Sequence, residues 1–212
     1  MKIYLPDVLE GQEWILPRHM DDHEVLERLS GRMQPHWRPV RMDILREDEK
    51  GNPRAYSDFP WYGRHVLMMK PRAVRLLRPI LEHAGEFLPL QSDEDVSLFN
   101  VTTVVDALDE DRSSIARFDD GSIMWIDKHV LRPEAIGDVA MFRLPEHVTR
   151  VSGIYMRETV VHRIAELGLE GIAFELIWSD EAVSPKDTRV EIGRPGRRSG
   201  LKSFFRRRRS TD

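Results

Sequence analysis

The sequence contains no cysteine. Disulfides and thiolate metal sites are therefore impossible, and a catalytic cysteine is excluded. The absence fits a reducing compartment. Long apolar runs are missing as well. No stretch of the 212 residues approaches the roughly 20 apolar residues a helix needs to cross a bilayer. The N-terminal segment MKIYLPDVLEGQEW does not read as a secretory signal, because Asp7 and Glu10 interrupt any apolar core. We therefore expect a cytoplasmic protein with no membrane insertion. Glycine-rich phosphate loops of the G-x-G-x-x-G and G-x-x-x-x-G-K-[ST] kinds are absent, as is the G-x-S-x-G nucleophile elbow. No cofactor is expected.

What the sequence has in quantity is charge, unevenly spread. Charged residues make up 32% and the formal net charge is −4. Residues 186–212 hold ten basic residues against three acidic ones, a net +7. That leaves −11 for residues 1–185. A body this acidic repels nucleic acid and suits a basic partner.

The pattern along the chain predicts an α+β fold. Its sheet is expected to be mixed or mainly antiparallel, with a few packed helices. Ile3, Leu5 and Val8 begin a strand, and Pro6 suggests an edge position. Asp21 and Glu24 have capping-box spacing before Val25, Leu26 and Leu29, with Gly31 to end that helix. Residues 46–65 form a polar loop with an aromatic cluster of Tyr56, Phe59, Trp61 and Tyr62. Those rings either pin the loop to the body or offer a partner an anchor. Residues 71–85 have helical spacing, with Pro71 in the first turn. Pro79 predicts a kink or two short helices.

Residues 96–105 read as a strand buried on both faces, followed by an acidic turn at 106–111. Ile123–Ile126 and Val139–Leu144 suggest a hairpin-like pair, with Pro133, Glu134 and Gly137 between them. Near the end, a strand over Val151–Met156 precedes a helical stripe of Val160, Val161, Ile164 and Leu167. Ile172, Phe174, Leu176 and Trp178 then alternate as one strand face, which suggests a β-α-β unit. We expect one domain over 1–185, with 1–50 as a candidate small lobe. Residues 186–212, rich in Gly, Pro, Ser and Arg, are expected to form a disordered basic tail.

Candidate chemistry is sparse. His19 and His23 stand four apart, but Pro17 and the expected cap at Asp21 put His19 ahead of the helix, and local spacing supplies no third ligand. We expect no metal site. The acidic runs Asp93-Glu94-Asp95, Asp106 to Asp111 and Asp119-Asp120 lack the glycine and spacing of a calcium loop. They read as solvated turns or as an acidic recognition face. The segment Phe204-Phe-Arg-Arg-Arg-Arg209 is the candidate for anionic surfaces, with no specific nucleic acid implied.

Six segments in order resemble one family. They are Asp58-Phe59, Gly85-Glu-Phe-Leu-Pro-Leu90, Phe99-Asn-Val-Thr-Thr103, Asp106-Ala-Leu-Asp109 with Ser113, Phe142-Arg-Leu144, and Gly168-Leu-Glu-Gly-Ile-Ala-Phe174. Together they resemble immunity protein family eleven of bacterial polymorphic toxin systems, over roughly residues 55–178. The resemblance implies a non-enzymatic protein encoded beside a secreted toxin, whose toxic domain it binds. It carries no catalytic residues over. The expected partner is a cognate toxin domain, basic and encoded by an adjacent gene. The candidate toxin-binding residues are Asp93, Glu94, Asp95, Asp109, Glu110, Asp111, Asp119, Asp120, Trp61 and Tyr62. Two other readings compete: a carboxylate-dependent hydrolase, and a nucleic-acid or membrane accessory protein acting through its tail.

Overall fold

Two antiparallel sheets organise the chain, and each is covered on both faces. The computed structural model describes residues 1–145, 153–182, 184 and 188–193. The larger sheet has five strands: β1 (Lys2–Asp7), β9 (Met141–Phe142), β10 (Tyr155–Arg157), β11 (Ile172–Ser179) and β12 (Arg189–Ile192). Their order is β12-β11-β1-β10-β9. The second sheet orders β4 (Leu67–Met69), β6 (Ser97–Val101) and β5 (Gly85–Pro89), with β6 central. Two hairpin-like pairs flank them: β2 (Trp14–Pro17) with β3 (Met42–Leu45), and β7 (Ser114–Arg117) with β8 (Ile123–Lys128). The helices are α1 (Asp21–Glu27), α2 (Pro71–Leu81), α3 (Pro133–Ile136) and α4 (Glu158–Glu166). All pairings within these sheets are antiparallel, and the fold class is α+β as the sequence predicts.

Strand alternation sorts the core into layers. From the five-stranded sheet, Tyr4, Met141, Met156, Ile172 and Phe174 join one cluster. There they meet Ala73, Leu77 and Leu81 of α2 and Val160, Val161 and Ile164 of α4. Their neighbours Ile3, Leu5, Phe142 and Tyr155 point the other way, onto Ala107, Leu108, Ile123, Leu131 and Ile136. The three-stranded sheet divides likewise. Leu67, Met69, Phe99 and Val101 join the first cluster, while Met68, Leu88 and Leu98 pack on Ile15, Leu26, Met42 and Ile44.

Several expectations need correction. Pro6 lies in an interior strand, not an edge one. The proline is tolerated because β10 pairs only with Ile3 and Tyr4, so β1 runs past that neighbour before Pro6. Asp21 is the first helical residue rather than the cap. Met20 holds the cap position with no side-chain bond, and Val25 is exposed. Residues 71–81 form one helix despite Pro79, which falls in the last turn, where its missing N–H removes a single bond near the helix end. The strand at 123 does not pair with 139–144. It pairs with β7, and β9 pairs with β10.

The β-α-β unit is present in split form. Strands β10 and β11 are both antiparallel to β1, which lies between them. Its expected start at Val151 lies outside the described residues. Trp178 does not share a face with Leu176. The register shifts opposite Ile3 and Tyr4, leaving Ile177 as an extra residue, and Ile177 and Trp178 both pack on the second cluster. Disorder from residue 186 is corrected at 188–193. There β12 pairs with β11, Ile192 is buried, and Arg189 pairs with Asp7 and Glu191. Residues 194–212, including Phe204–Arg209, lie outside the described residues.

Candidate binding surface

Two sets of polar residues stand out, one buried and one exposed. The buried set begins at Lys70, the extended residue just before α2. Its side chain is 2% exposed. Its Nζ sits 2.9 Å from Glu13 Oε2 and 2.8 Å from Glu94 Oε2, and 4.4 Å from the centre of the Tyr56 ring. Glu13 Oε2 also accepts the Ser57 N–H at 2.9 Å. Arg46, just past β3, donates to Asp93 at 2.6 Å and to Glu94 at 2.5 Å. Hydrogen bonds from Lys70 and Arg46 hold the Glu94 carboxyl below the usual carboxylate range, and Arg46 does the same for Asp93.

A second carboxylate, Asp58, is wholly buried. It accepts from Tyr56 Oη at 3.1 Å, Arg72 Nη1 at 2.6 Å and the Glu170 N–H at 2.9 Å. Burial and the neighbouring Asp58 push the Tyr56 hydroxyl up to about 12. Burying these carboxylates is tolerable because their oxygens meet donors from within the chain. They are joints, and they tie the loop before β4 to the turn before β11. That turn contains Gly171, at φ +95°, where a Cβ would fall 2.3 Å from Ser57 Oγ.

The other segments that carried the resemblance are framework too. Asn100, fully buried in β6, donates to Arg32 O and Glu86 Oε1, both at 2.9 Å. Arg143 is buried and donates to the carbonyls of Val101 and His65. Ala107 and Leu108 are core. Asp109 and Ser113 clamp the turn: Ser113 Oγ donates to Asp109 O at 2.6 Å and accepts the Val130 N–H at 3.0 Å.

The exposed set lies on the β7–β8 hairpin. Ile115, Ile123 and Ile126 hold its inner side against the second core cluster. Phe118, Met124 and Trp125 face solvent, at 49%, 39% and 53% exposure. Around them stand Asp119, Asp120 and Asp127, with Glu110 and Asp111 on the preceding turn, all exposed. Arg117 joins the two turns, donating to Glu110 at 2.5 Å and to Gly121 O at 2.9 Å. A cleft of about 390 Å³ runs beside β8, lined among others by Trp125, Asp127, His129, Tyr155 and Glu175. Burial lowers the His129 imidazole to about 4.

The sequence candidates thus divide. Asp119 and Asp120 lie in the turn that closes the hairpin, whereas Asp109 sits at its open end, its N–H donating to Val130 O, with Glu110 and Asp111 following. Arg117 links Glu110 to the closing turn. Of these, Asp109 is only 22% exposed and accepts the Arg112 N–H at 3.2 Å. Asp93 and Glu94 are drawn elsewhere, to Arg46 and Lys70, with exposed Asp95 following them. Trp61 and Tyr62 are half-buried. Trp61 exchanges backbone hydrogen bonds with Glu13 and Ile15, and Tyr62 packs on the third cluster with its hydroxyl 3.0 Å from His23 Nδ1. Among the described residues, no group of three or more His, Asp or Glu side chains could hold a metal ion. No described helix is long and apolar enough to cross a membrane. Sequence reasoning missed Phe118, Met124 and Trp125. The available signal was a tryptophan with methionine on one side and Asp127-Lys128 soon after, a mixed run that a buried strand would not carry.

No curated protein matches the chain. The matched interval holds the last four of the six segments quoted above, together with the whole β7–β8 hairpin: residues 90–178 match the model of the Immunity protein family (Imm11).

Proposed function

We propose that the protein is an immunity protein that binds a cognate secreted toxin domain and blocks it in the producing cell, without turning over a substrate. The observation that carries this reading is the family match over residues 90–178. The proposed partner is encoded by the adjacent gene, as the immunity reading implies, and is basic, because residues 1–185 carry a formal −11. Such a field speeds the capture of a cationic protein and favours it over acidic competitors. Asp93 and Glu94 already face cations of this chain, and Glu110 faces Arg117, so the steering role falls first on Asp111 and Asp119, with Asp120 beside them. Asp109 contributes its charge while holding its turn.

The test is co-expression with the C-terminal domain of the adjacent upstream gene product. The expected result is a complex that survives purification and growth that is restored in cells making the toxin domain. Unrelieved toxicity, with no complex, overturns the proposal. So does turnover by the purified protein in a hydrolase and nuclease panel that is lost on neutralising one carboxylate.

A further inference from the structure

Three of the large exposed hydrophobic residues fall within eight positions of one hairpin: Phe118, Met124 and Trp125. Their exposure has a structural cause. In the β7–β8 ladder, Arg117 pairs with Ile123 while Ala116 pairs with Trp125, so Met124 is an extra residue on β8. Ser114 pairs with Lys128 while Ile115 pairs with Ile126, so Asp127 is a second extra residue. Bulges re-aim side chains and interrupt alternation. Here they turn Met124 and Trp125 outward together, and then Asp127 and Lys128, while Ile123 and Ile126 stay inward. The indole N–H of Trp125 donates to Asp127 Oδ1 at 3.0 Å, which fixes the ring on the outer surface. Among the described residues this two-stranded sheet has no third strand.

We propose that the outer face of the β7–β8 hairpin, centred on Trp125 with Phe118 and Met124, is the surface that seats a cationic toxin domain. The partner supplies an apolar pocket for the indole and Lys or Arg side chains for the acidic rim. The inference rests on the immunity reading and adds to it the surface and its anchor. Charge selects the occupant. Residues 109–128 hold six acidic against three basic residues, a net −3. A second copy of this chain would meet that face with the same sign, whereas a basic domain complements it. Tryptophan is favoured at the energetic centre of interfaces, with charged residues at the rim governing the association rate. The hairpin needs little ordering on binding, because its inner isoleucines are already packed.

The experiment measures binding of the full chain to the purified toxin domain of the adjacent upstream gene product, by calorimetry and stopped flow. Trp125→Ala should weaken affinity by roughly 30-fold or more, mainly through faster dissociation. Phe118→Ala should weaken it less. Asp111→Lys with Asp119→Lys should slow association and flatten its salt dependence. Met33→Ala, which removes an exposed hydrophobic far from the hairpin in sequence, should leave binding unchanged. Hydrogen exchange on the unmutated complex should protect amides 114–128, a reading that does not depend on any variant folding. If the unmutated chain does not bind the domain, the immunity reading fails and this surface fails with it. If it binds, but Trp125→Ala is unaffected or residues 114–128 stay unprotected, the surface is refuted while the immunity reading stands. If Trp125→Ala abolishes self-association of the free chain and spares toxin binding, the face joins copies of this chain and the proposal is overturned.

Discussion

Replacing Lys70 with methionine probes the buried network most directly. The ammonium, with a side chain 2% exposed, lies within 2.9 Å of Glu13, whose side chain is 6% exposed. Breaking a buried ion pair by removing one partner costs about 3–5 kcal/mol, because the other charge is left uncompensated. Glu94 suffers less, being 40% exposed and still held by Arg46 at 2.5 Å. Glu13 keeps the Ser57 N–H at 2.9 Å and a distant Arg46 at 3.7 Å, which offsets part of the loss. We therefore expect a destabilisation of about 3 kcal/mol, at the low end of that range. For a chain of this length each kcal/mol moves the melting point by about 2–4 °C. Urea unfolding followed by circular dichroism measures the loss. The double variant Glu13→Gln, Lys70→Met removes both charges and should recover at least about 1 kcal/mol relative to the sum of the single changes. A loss under about 1 kcal/mol for Lys70→Met, or additive single changes, would refute the view that Lys70 compensates Glu13.

Three further outcomes follow from the geometry. A chain ending at residue 193 should melt higher than one ending at 185, because the shorter chain lacks β12, buried Ile192 and the Arg189–Asp7 pair; equal melting points would show that β12 adds nothing. Burial lowers the imidazoles of His65 and His129 to about 4, so the unfolded chain binds more protons than the folded one between about 4 and the ordinary 6.5, and stability should fall as pH drops through that window. His129→Gln should flatten the melting-point decline between pH 7 and pH 5, and an unchanged slope would count against a neutral buried His129. Gly85→Ala places a Cβ 2.1 Å from Asn100 O in the neighbouring strand, and should cost on the order of 4 kcal/mol or yield insoluble protein; a melting point within 2 °C of the parent, by differential scanning fluorimetry, would show that the strands can separate locally.

The parts of the fold legible in the sequence are those where local pattern and tertiary packing agree. The stripe Ala73, Leu77 and Leu81 reads as a helix face and is one. The β-branched run at 96–105 reads as a doubly buried strand, and its first part is one, β6 being the middle strand of its sheet, but the strand stops at Val101 and Val104 is exposed. Misreadings arose where a partner distant in sequence supplies the context. Whether Pro6 sits at an edge depends on how far β10 reaches, and β10 lies about 150 residues later. The strand Arg189–Ile192 has only Val190 and Ile192 to mark it among Gly, Pro and Arg, yet β11 provides a ladder and Asp7 a carboxylate. Short strands of this kind are specified by what they join.

The candidate surface was hidden for a related reason. Burial along β8 runs buried, exposed, exposed, half-buried, exposed, exposed. That is a period of three, which neither a strand nor a helix template matches. Two bulges produce it, each adding one residue to β8 against β7. Without bulges, strict alternation from buried Ile123 would carry Trp125 inward and Ile126 outward. The bulges reverse both, keeping the isoleucine in the core and placing the indole in solvent. A hairpin needing only stability would gain by burying Trp125, since large aromatic side chains contribute most to a core. Keeping it exposed beside Asp119, Asp120 and Asp127 runs against that gain. An offsetting contact outside the chain, with a partner that covers the indole and pairs with the carboxylates, accounts for both features at once.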